Sequence, residues 1–447
     1  MNIIQFEDKP LAHYSYAIIS DGEMAIVDPS RNPKPYYELA EKEHAKIIAV
    51  FETHPHADFV SSHLQIHKET GATIFVSKLV GANYPHNTFD DGDTFKMGNV
   101  ALQAINTPGH SPDSITIIAE DENENYAMFS GDTLFIGDVG RPDLREKAGN
   151  MKAKREELAK NMYHTMQTKF NDLPDKTIVY PAHGAGSLCG KNMSSDSSST
   201  LGRERRENWA FKKLSEEEFV NHILADQPFI PSYFGYNVDI NKTGAPNFEK
   251  GIADPNFHFE VEEFNYKESL IIDVREQEDF KKNHLQGSIN IMAQSENDKL
   301  ETWLGSIVEP EEVFYVVLKS VKDKENILHR IAKIGYETQL KGLLTLGNAT
   351  LERTEKLNLK DFQNNPENYT IIDIRNKSEV EEGDIFDNAI TIPLNELRNS
   401  EAEIPTKKPI VVHCAGGYRS AAGSSIISKL KKDVKVFDLS DDISNFK

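Results

Sequence analysis

The sequence predicts an α/β chain of several domains, on three observations. Apolar, strand-like runs alternate with polar helical stretches along the 447 residues. In the N-terminal half, several of those runs end in short motifs whose His or Asp side chains are able to bind a metal. In the C-terminal half, one α/β pattern occurs twice. A chain of this length holds about three domains. Domains are expected at 1–231, 258–352 and 353–447, with a linker at 232–257, where periodicity fades amid Gly, Pro and Asn.

The composition narrows the partners. With 38% hydrophobic and 27% charged residues the chain is globular. Its formal net charge of -21 would repel nucleic acid and anionic membranes alike. The stretch Met1-Asn2-Ile3-Ile4-Gln5-Phe6 has no basic region or long apolar core, and no run reaches transmembrane length. Two widely separated cysteines, Cys189 and Cys414, exclude a disulfide framework, so a cytoplasmic protein is expected.

Residues 14–20 and 23–28 read as strands joined at Asp21-Gly22, a hairpin dipeptide. A helical stretch near 36–43 leads to the apolar run 47–51, a buried strand that ends in Thr53-His54-Pro55-His56-Ala57-Asp58-Phe59. Two histidines and an aspartate within five residues suit metal binding better than packing. Further strands follow near 73–76, 100–106, 114–119, 126–130 and 177–180. Three of them run into Thr107-Pro108-Gly109-His110, Ser130-Gly131-Asp132 and Pro181-Ala182-His183-Gly184. Any one of these tripeptides means little, since a lone loop histidine is more often merely exposed.

Taken in order, an HxHxD motif, then PGH, GD and PAH, each behind a strand, resemble the metallo-β-lactamase fold over about residues 1–230. That resemblance implies an αββα architecture, two sheets between helices, with loops gathered over one metal site. In its two-metal members, such as glyoxalase II, a histidine follows the motif's aspartate. Here Phe59 stands in that place, and a phenyl ring cannot ligate. The change points to one metal and to similarity with the persulfide dioxygenase branch. By that resemblance His54, His110 and Asp132 bind Fe(II), one per chain, leaving one side open to a persulfide sulfur and O2. Zn(II) is the alternative occupant and would serve hydrolysis. His56, Asp58 and His183 then either orient the ligands and a bound water or join the ligand set.

The segment Gly137-Asp138-Val139-Gly140-Arg141-Pro142-Asp143 looks like the GxGRxD stretch of persulfide dioxygenases, where the arginine braces the site. Arg141 is expected at the substrate, or else in a surface ion pair with Asp143. Gly184-Ala185-Gly186 stand where glutathione-using relatives carry bulkier polar residues, so a different thiol carrier is expected. Cys189, in a glycine-rich loop beside Lys191, is expected to be accessible and easily ionised, as a sulfur carrier or a passive residue. The serine-rich 192–200 reads as a mobile loop or lid. Arg203, Arg205 and Arg206 form an anion patch, or a helix start paired with Glu204 and Glu207.

In the C-terminal half, Leu270-Ile271-Ile272-Asp273-Val274-Arg275 recurs as Thr370-Ile371-Ile372-Asp373-Ile374-Arg375. Each copy continues through a polar helical stretch to a second apolar strand, at 288–291 and 389–392. Duplicated α/β units of this size resemble rhodanese domains. In the second copy, the strand 410–413 runs into Cys414-Ala415-Gly416-Gly417-Tyr418-Arg419-Ser420, a close match to the rhodanese active-site loop. Its glycines let successive N–H groups face inward, and the following helix start favours an anion. Cys414, as thiolate, can attack a sulfane sulfur and carry it as a persulfide. Arg419 is expected to anchor an anionic donor or acceptor, with Ala415, Gly416, Gly417, Tyr418 and Ser420 around it. A cysteine phosphatase is the competitor, but its motif separates Cys and Arg by five residues. In the first copy the strand 314–318 meets Lys319-Ser320-Val321, with neither cysteine nor glycine, so that copy is expected to be silent.

The three parts in this order resemble bacterial CstB-type fusions of persulfide dioxygenase and rhodanese. The resemblance implies oxidation of a low-molecular-weight thiol persulfide by O2 to sulfite at a mononuclear non-haem iron. It also implies transfer of sulfane sulfur through Cys414 to sulfite, giving thiosulfate and detoxifying sulfide. Two readings stay open beside it: a zinc-dependent glyoxalase II-like thioester hydrolase fused to a sulfurtransferase, and a sulfur carrier or redox sensor without turnover. The expected partners are a small-molecule persulfide, O2 and sulfite, with no nucleic acid and no membrane, and a homo-oligomer is expected.

Overall fold

A computed structural model describes residues 1–144, 155–253, 258–260, 269–347 and 351–447. They fall into two compact units, Met1–Ile252 with Ala332–Gly335, and Ala253–Ile331 with Tyr336–Lys447. Among the described residues, no helix is long and apolar enough to cross a membrane.

The first unit is built on two six-stranded sheets. One runs Asn2–Asp8, His13–Ser20, Glu23–Val27, Lys46–Phe51, Thr73–Val76 and Asn87–Thr88. The other runs Ser199–Thr200, Ile178–Pro181, Tyr126–Gly131, Ile115–Asp121, Val100–Asn106 and Thr94–Met97. Alternation of side chains decides how they meet. Val100, Leu102 and Ala104 point inward while Ala101 and Gln103 are exposed. Those inward residues share one core with Tyr16, Val27 and Phe51 of the facing sheet. The outer faces bury against helices, with Tyr36 and Ala40 of Lys34–Lys42 on Ile26 and Val50, and Met162 and Met166 of Arg155–Thr168 on Met128 and Val179. The unit thus has the helix–sheet–sheet–helix layering expected of it. The Asp21-Gly22 hairpin also forms, both residues left-handed at φ 50 and 75 as that turn type demands.

The region 232–257 departs from its expected linker. Tyr233–Thr243 and Phe248–Ile252 are helices, and the first unit continues through Ile252. Tyr233, Phe234, Asn237, Val238 and Asn241 recur at helical spacing and are buried. Gly244 caps the first helix at φ 85 and Pro246 follows it, whereas Gly235 and Gly251 lie inside the two helices. Residues 254–257 lie outside the described set. The loop 192–200 is also pinned: the amides of Lys191 and Asn192 donate to Asp138, and Ser199–Thr200 pair with Val179 and Ile178.

The second unit holds a five-stranded and a four-stranded sheet, each with parallel pairings. The repeated sequence forms the same inner strand in both: Leu270–Asp273 lies between Phe314–Val317 and Ile289–Asn290, and Thr370–Asp373 between Ile410–His413 and Ile390–Thr391. Strands buried on both faces explain the continuous apolar runs.

Candidate metal centre and sulfur-transfer loop

The HxHxD turn leaves the carboxyl end of Lys46–Phe51 and is held by Asp28, at the end of the neighbouring strand. Asp28 is left-handed at φ 50, a sparsely populated conformation for a non-glycine residue. Its Oδ1 accepts the N–H of Thr53 at 2.7 Å, its Oδ2 the Thr53 hydroxyl at 2.8 Å, and His56 Nε2 lies 3.1 Å from Oδ1. From the other side, Asn241 Nδ2 donates to the carbonyls of His56 and Phe59, both at 2.8 Å. The Tyr233 hydroxyl donates to the carbonyl of Asp58. Two glycines let the loops close. A Cβ on Gly131 would sit 2.5 Å from Thr53 Oγ1, and one on Gly140 would run into the Asp132 carbonyl.

His54, His110 and Asp132, expected together, are together. Asp132 Oδ2 lies 3.9 Å from His54 Nε2 and 3.6 Å from His110 Nε2, and all three residues are buried. Those separations are too long for hydrogen bonds and suit donors grouped around one ion. Neither Asp132 oxygen has a hydrogen-bond partner among the described residues, although a buried carboxylate needs compensation. A cation between these three groups supplies it, so the donor set fits the metal that the fold implies.

His56, Asp58 and His183 form a second buried trio beside the first. His183 Nε2 lies 3.3 Å from Asp58 and 3.6 Å from Asp132. Burial alone would pull the His183 pKa down, but the charges of Asp58 and Asp132 outweigh it and raise it to about 10. Burial pushes the other way on Asp58, where His183 first, then His56 and His13, bring the carboxyl to about 2. Phe59 fills the adjacent space with carbon, its ring centroid 4.4 Å from that of His56 and 3.9 Å from that of His13.

Two members of this neighbourhood escaped the sequence reading. His13 starts a strand and bridges to His183, and burial, then His183 and His56, hold it well below the usual imidazole range. Its sequence signal is only an imidazole at the head of the strand His13–Ser20. Asp28 is signalled by an acid directly behind an apolar run, a common pattern that says nothing of Thr53 or His56.

Arg141 corrects its expectation. It is fully buried, with Nε and Nη2 on Asp143 at 2.7 Å each and its remaining reach spent on the carbonyls of Leu188 and Pro228. It braces loops and presents no fork to a substrate, and the Asp143 pair is interior. Cys189 also reverses its reading. It is 1% exposed, and burial first, then Asp132 and Asp58, push its thiol well above the usual range. The loop folds inward: Arg141 N donates to the Cys189 carbonyl, and Lys191 Nζ turns to the carbonyls of His222 and Ala225. Cys189 does lie with Asp132 and His183 as a potential ligand group. Arg203 pairs with Asp196 and Glu207, and Arg205 with Asp175, which neutralises two of the three arginines of the expected patch.

The second site follows the strand Ile410–His413. Cys414 is 1% exposed, and its Sγ accepts the N–H of Gly417 at 3.2 Å. Gly417 adopts φ 94, and a side chain there would strike Asp441. Ala415 and Gly416 complete the turn, and the Ser420 hydroxyl donates to the Gly417 carbonyl at 2.9 Å. The helix Tyr418–Leu430 then begins. Arg419 is the surprise: its fork is closed on Glu379 at 2.6 Å by both Nη atoms. Burial would raise the Glu379 pKa, but Arg419 outweighs it and holds the carboxyl below its usual range. The first copy reaches this loop, since Tyr418 donates to the Met292 carbonyl at 3.0 Å and the Arg419 guanidinium lies 6.0 Å from the Trp303 ring centroid. In sequence, Glu379 reads only as the last residue of an Asn-x-x-Glu helix cap.

Comparison with known proteins agrees with this division. Residues 8–183 match the metallo-beta-lactamase superfamily, and residues 260–342 and 358–447 match the rhodanese-like domain. The chain is 28% identical over 243 residues to a probable hydroxyacylglutathione hydrolase of Schizosaccharomyces pombe, covering 48% of this chain and 88% of that protein. It is 30% identical over 163 residues to the mitochondrial persulfide dioxygenase ETHE1 of Homo sapiens, covering 36% of this chain and 59% of that one. A solved structure of a metallo-beta-lactamase from Staphylococcus aureus is 32% identical, with a TM-score of 0.69, and the match covers 77% of this chain and 99% of that chain. The chain therefore belongs to the metallo-beta-lactamase superfamily, as a member whose metal-binding domain is followed by rhodanese-like domains.

Proposed function

We propose that the first unit is a mononuclear iron persulfide dioxygenase and that the Cys414 loop is a sulfurtransferase acting on its product. The observation that carries this reading is the buried trio His54, His110 and Asp132 with Phe59 standing against His56, in one chain with the Cys414 loop. His54, His110 and Asp132 would hold the iron, which supplies the activation of O2 and of a persulfide sulfur. Asp28 and Asn241 keep the turn that presents His54 in place, and Phe59 and His13 keep water from the space beside His56. One persulfide, one O2 and one water give one thiol, one sulfite and two protons.

At the second site, the Cys414 thiolate attacks the outer sulfur of a persulfide, and the carrier thiol leaves with the bonding electron pair and takes up a proton. Sulfite then attacks the outer sulfur of the Cys414 persulfide, forming thiosulfate and returning the thiolate. The Gly417 N–H, aimed at Sγ, stabilises the anion at both stages. The first product is the second acceptor, which is the chemical reason to join the two activities. The small residues Gly184, Ala185 and Gly186 favour a carrier other than glutathione.

A second reading rests on the trio His56, Asp58 and His183 and on the likeness to hydroxyacylglutathione hydrolases: two metals and thioester hydrolysis. Metal analysis together with O2 uptake on a panel of persulfides separates them. Iron at one per chain with O2 consumption is the expected result, and zinc alone with thioester turnover would overturn it. His110→Ala should lose both the metal and O2 uptake.

A further inference from the structure

Arg419 belongs to the Cys414 loop, five residues after the cysteine, yet its fork is already filled. Nη1 donates to Oε2 of Glu379 and Nη2 to Oε1, the two-point geometry in which a guanidinium best binds a planar oxyanion. Glu379 is held from behind. Its Oε2 also accepts the N–H of Asn376, closing the capping box of the helix Lys377–Glu381. On a further side of Arg419 stands Trp303. Neighbouring cations are engaged too, Arg375 with Asp373 and Lys377 with Glu396. An oxyanion approaching Cys414 therefore meets a carboxylate where it needs a cation. The pair is open to exchange, since the Arg419 side chain is 14% exposed and that of Glu379 31%.

We infer that Glu379 is an internal ligand of Arg419 which a sulfur oxyanion must displace, so that Glu379 sets the affinity of the Cys414 loop for sulfite and thiosulfate. The inference deepens the sulfur-transfer reading and rests on it. An uncharged alkyl persulfide has no oxyanion to offer the fork and does not compete with Glu379. Sulfite and thiosulfate do, and each must exchange for a carboxylate already in place. The step is an exchange of anions on one guanidinium, with no bond made or broken. If Glu379 were only a prop that orients Arg419, its removal would weaken oxyanion binding. As a competitor, its removal strengthens it. The two roles differ in sign.

The test is titration calorimetry of thiosulfate into the full-length protein carrying Cys414→Ser, so that no sulfur is transferred. Adding Glu379→Gln should tighten thiosulfate binding about tenfold, the scale of one partly exposed ion pair on a desolvated fork. Arg419→Gln in the same background should abolish binding. Glu379→Asp, which keeps the charge and shortens the reach, should fall between the wild-type residue and Gln. With Cys414 restored, the ratio of the thiosulfate KM to the KM for an uncharged alkyl persulfide should drop about tenfold in Glu379→Gln. Unchanged or weaker thiosulfate binding in a folded Glu379→Gln protein overturns the inference, and the same result in Glu379→Asp overturns it should the Gln variant not fold. The two readings fail separately. Were sulfur transfer wrong, no variant would transfer sulfur while thiosulfate binding still tightened. Were the displaced ligand wrong, transfer would proceed and the affinity would not rise.

Discussion

The two rhodanese-like copies begin alike. In each, the inner strand ends in an aspartate gripped by an arginine two residues on, with Arg275 Nη2 2.7 Å from Asp273 and Arg375 Nη2 2.6 Å from Asp373. All four residues are buried, and the arginines go on to bind backbone carbonyls, of Asn283 in one copy and of Glu379 and Gly383 in the other. They part at the next strand. In the first copy the chain turns at Ser320, whose hydroxyl accepts the N–H of Lys322 while Asp323 accepts that of Ser320. In the second, glycines carry the turn and the N–H of Gly417 is aimed at Cys414 Sγ. A helix start offers unsatisfied N–H groups in either case. One copy fills them with its own cap, and the other holds a reactive sulfur against the N–H of its N-cap residue, Gly417. The duplication thus preserved the scaffold and varied the occupant of one helix end.

The largest expected effect tests that division. Cys414→Ser should abolish sulfur transfer, a loss of about a thousandfold or more, while O2 uptake continues and sulfite accumulates in place of thiosulfate. Continued thiosulfate production would make the two copies equivalent after all. Next come the shared locks. Arg275→Met and Arg375→Met each leave a buried aspartate without its cation, at a cost of about 3–5 kcal/mol read from denaturant unfolding. Similar losses would show the locks to be the same device, and a loss in one copy only would break the comparison. Ser320→Ala should cost about 1 kcal/mol, as a lost cap, without touching sulfur transfer. Grafting a thiol there, as Ser320→Cys in a Cys414→Ser background, should restore no transfer. The smallest expected effect contrasts the two cysteines. Because its folded-state pKa is raised, Cys189 stays protonated as pH rises through the ordinary thiol range. From about pH 7 to about pH 9, iodoacetamide should therefore leave it unlabelled in the native Cys414→Ser protein, as read by peptide mass spectrometry. Rapid labelling would restore the accessible sulfur carrier that the glycine-rich loop suggested.

Local stretches carried the parts of this molecule that could be read early. His54, His110 and Asp132 each stand directly behind an apolar run, so strand and motif were visible in one window. Cys414 and its glycines lie together for the same reason, as do the paired Asp and Arg of the two locks. The misreadings share a cause as well. Gly244, Pro246 and Asn247 mark the break between two helices, whereas Gly235, Asn237 and Asn241 lie within Tyr233–Thr243, and that mixture hid the helix that holds the HxHxD turn. Glycines around Cys189 allow a tight turn but do not say whether it faces water or Asp132.

The sequence by itself determined the local geometry: which runs are strands, which residues cap or turn, and which side chains leave a strand end side by side. These follow from backbone sterics and from short-range hydrogen bonds, which need only neighbours in the chain. Tertiary structure alone decided what those side chains meet. Asn241 reaches His56 across 185 positions, Asp28 reaches Thr53 across 25, and Glu379 reaches Arg419 across 40. Such pairings arise when distant apolar faces are buried together, and no periodicity in either segment encodes the partner.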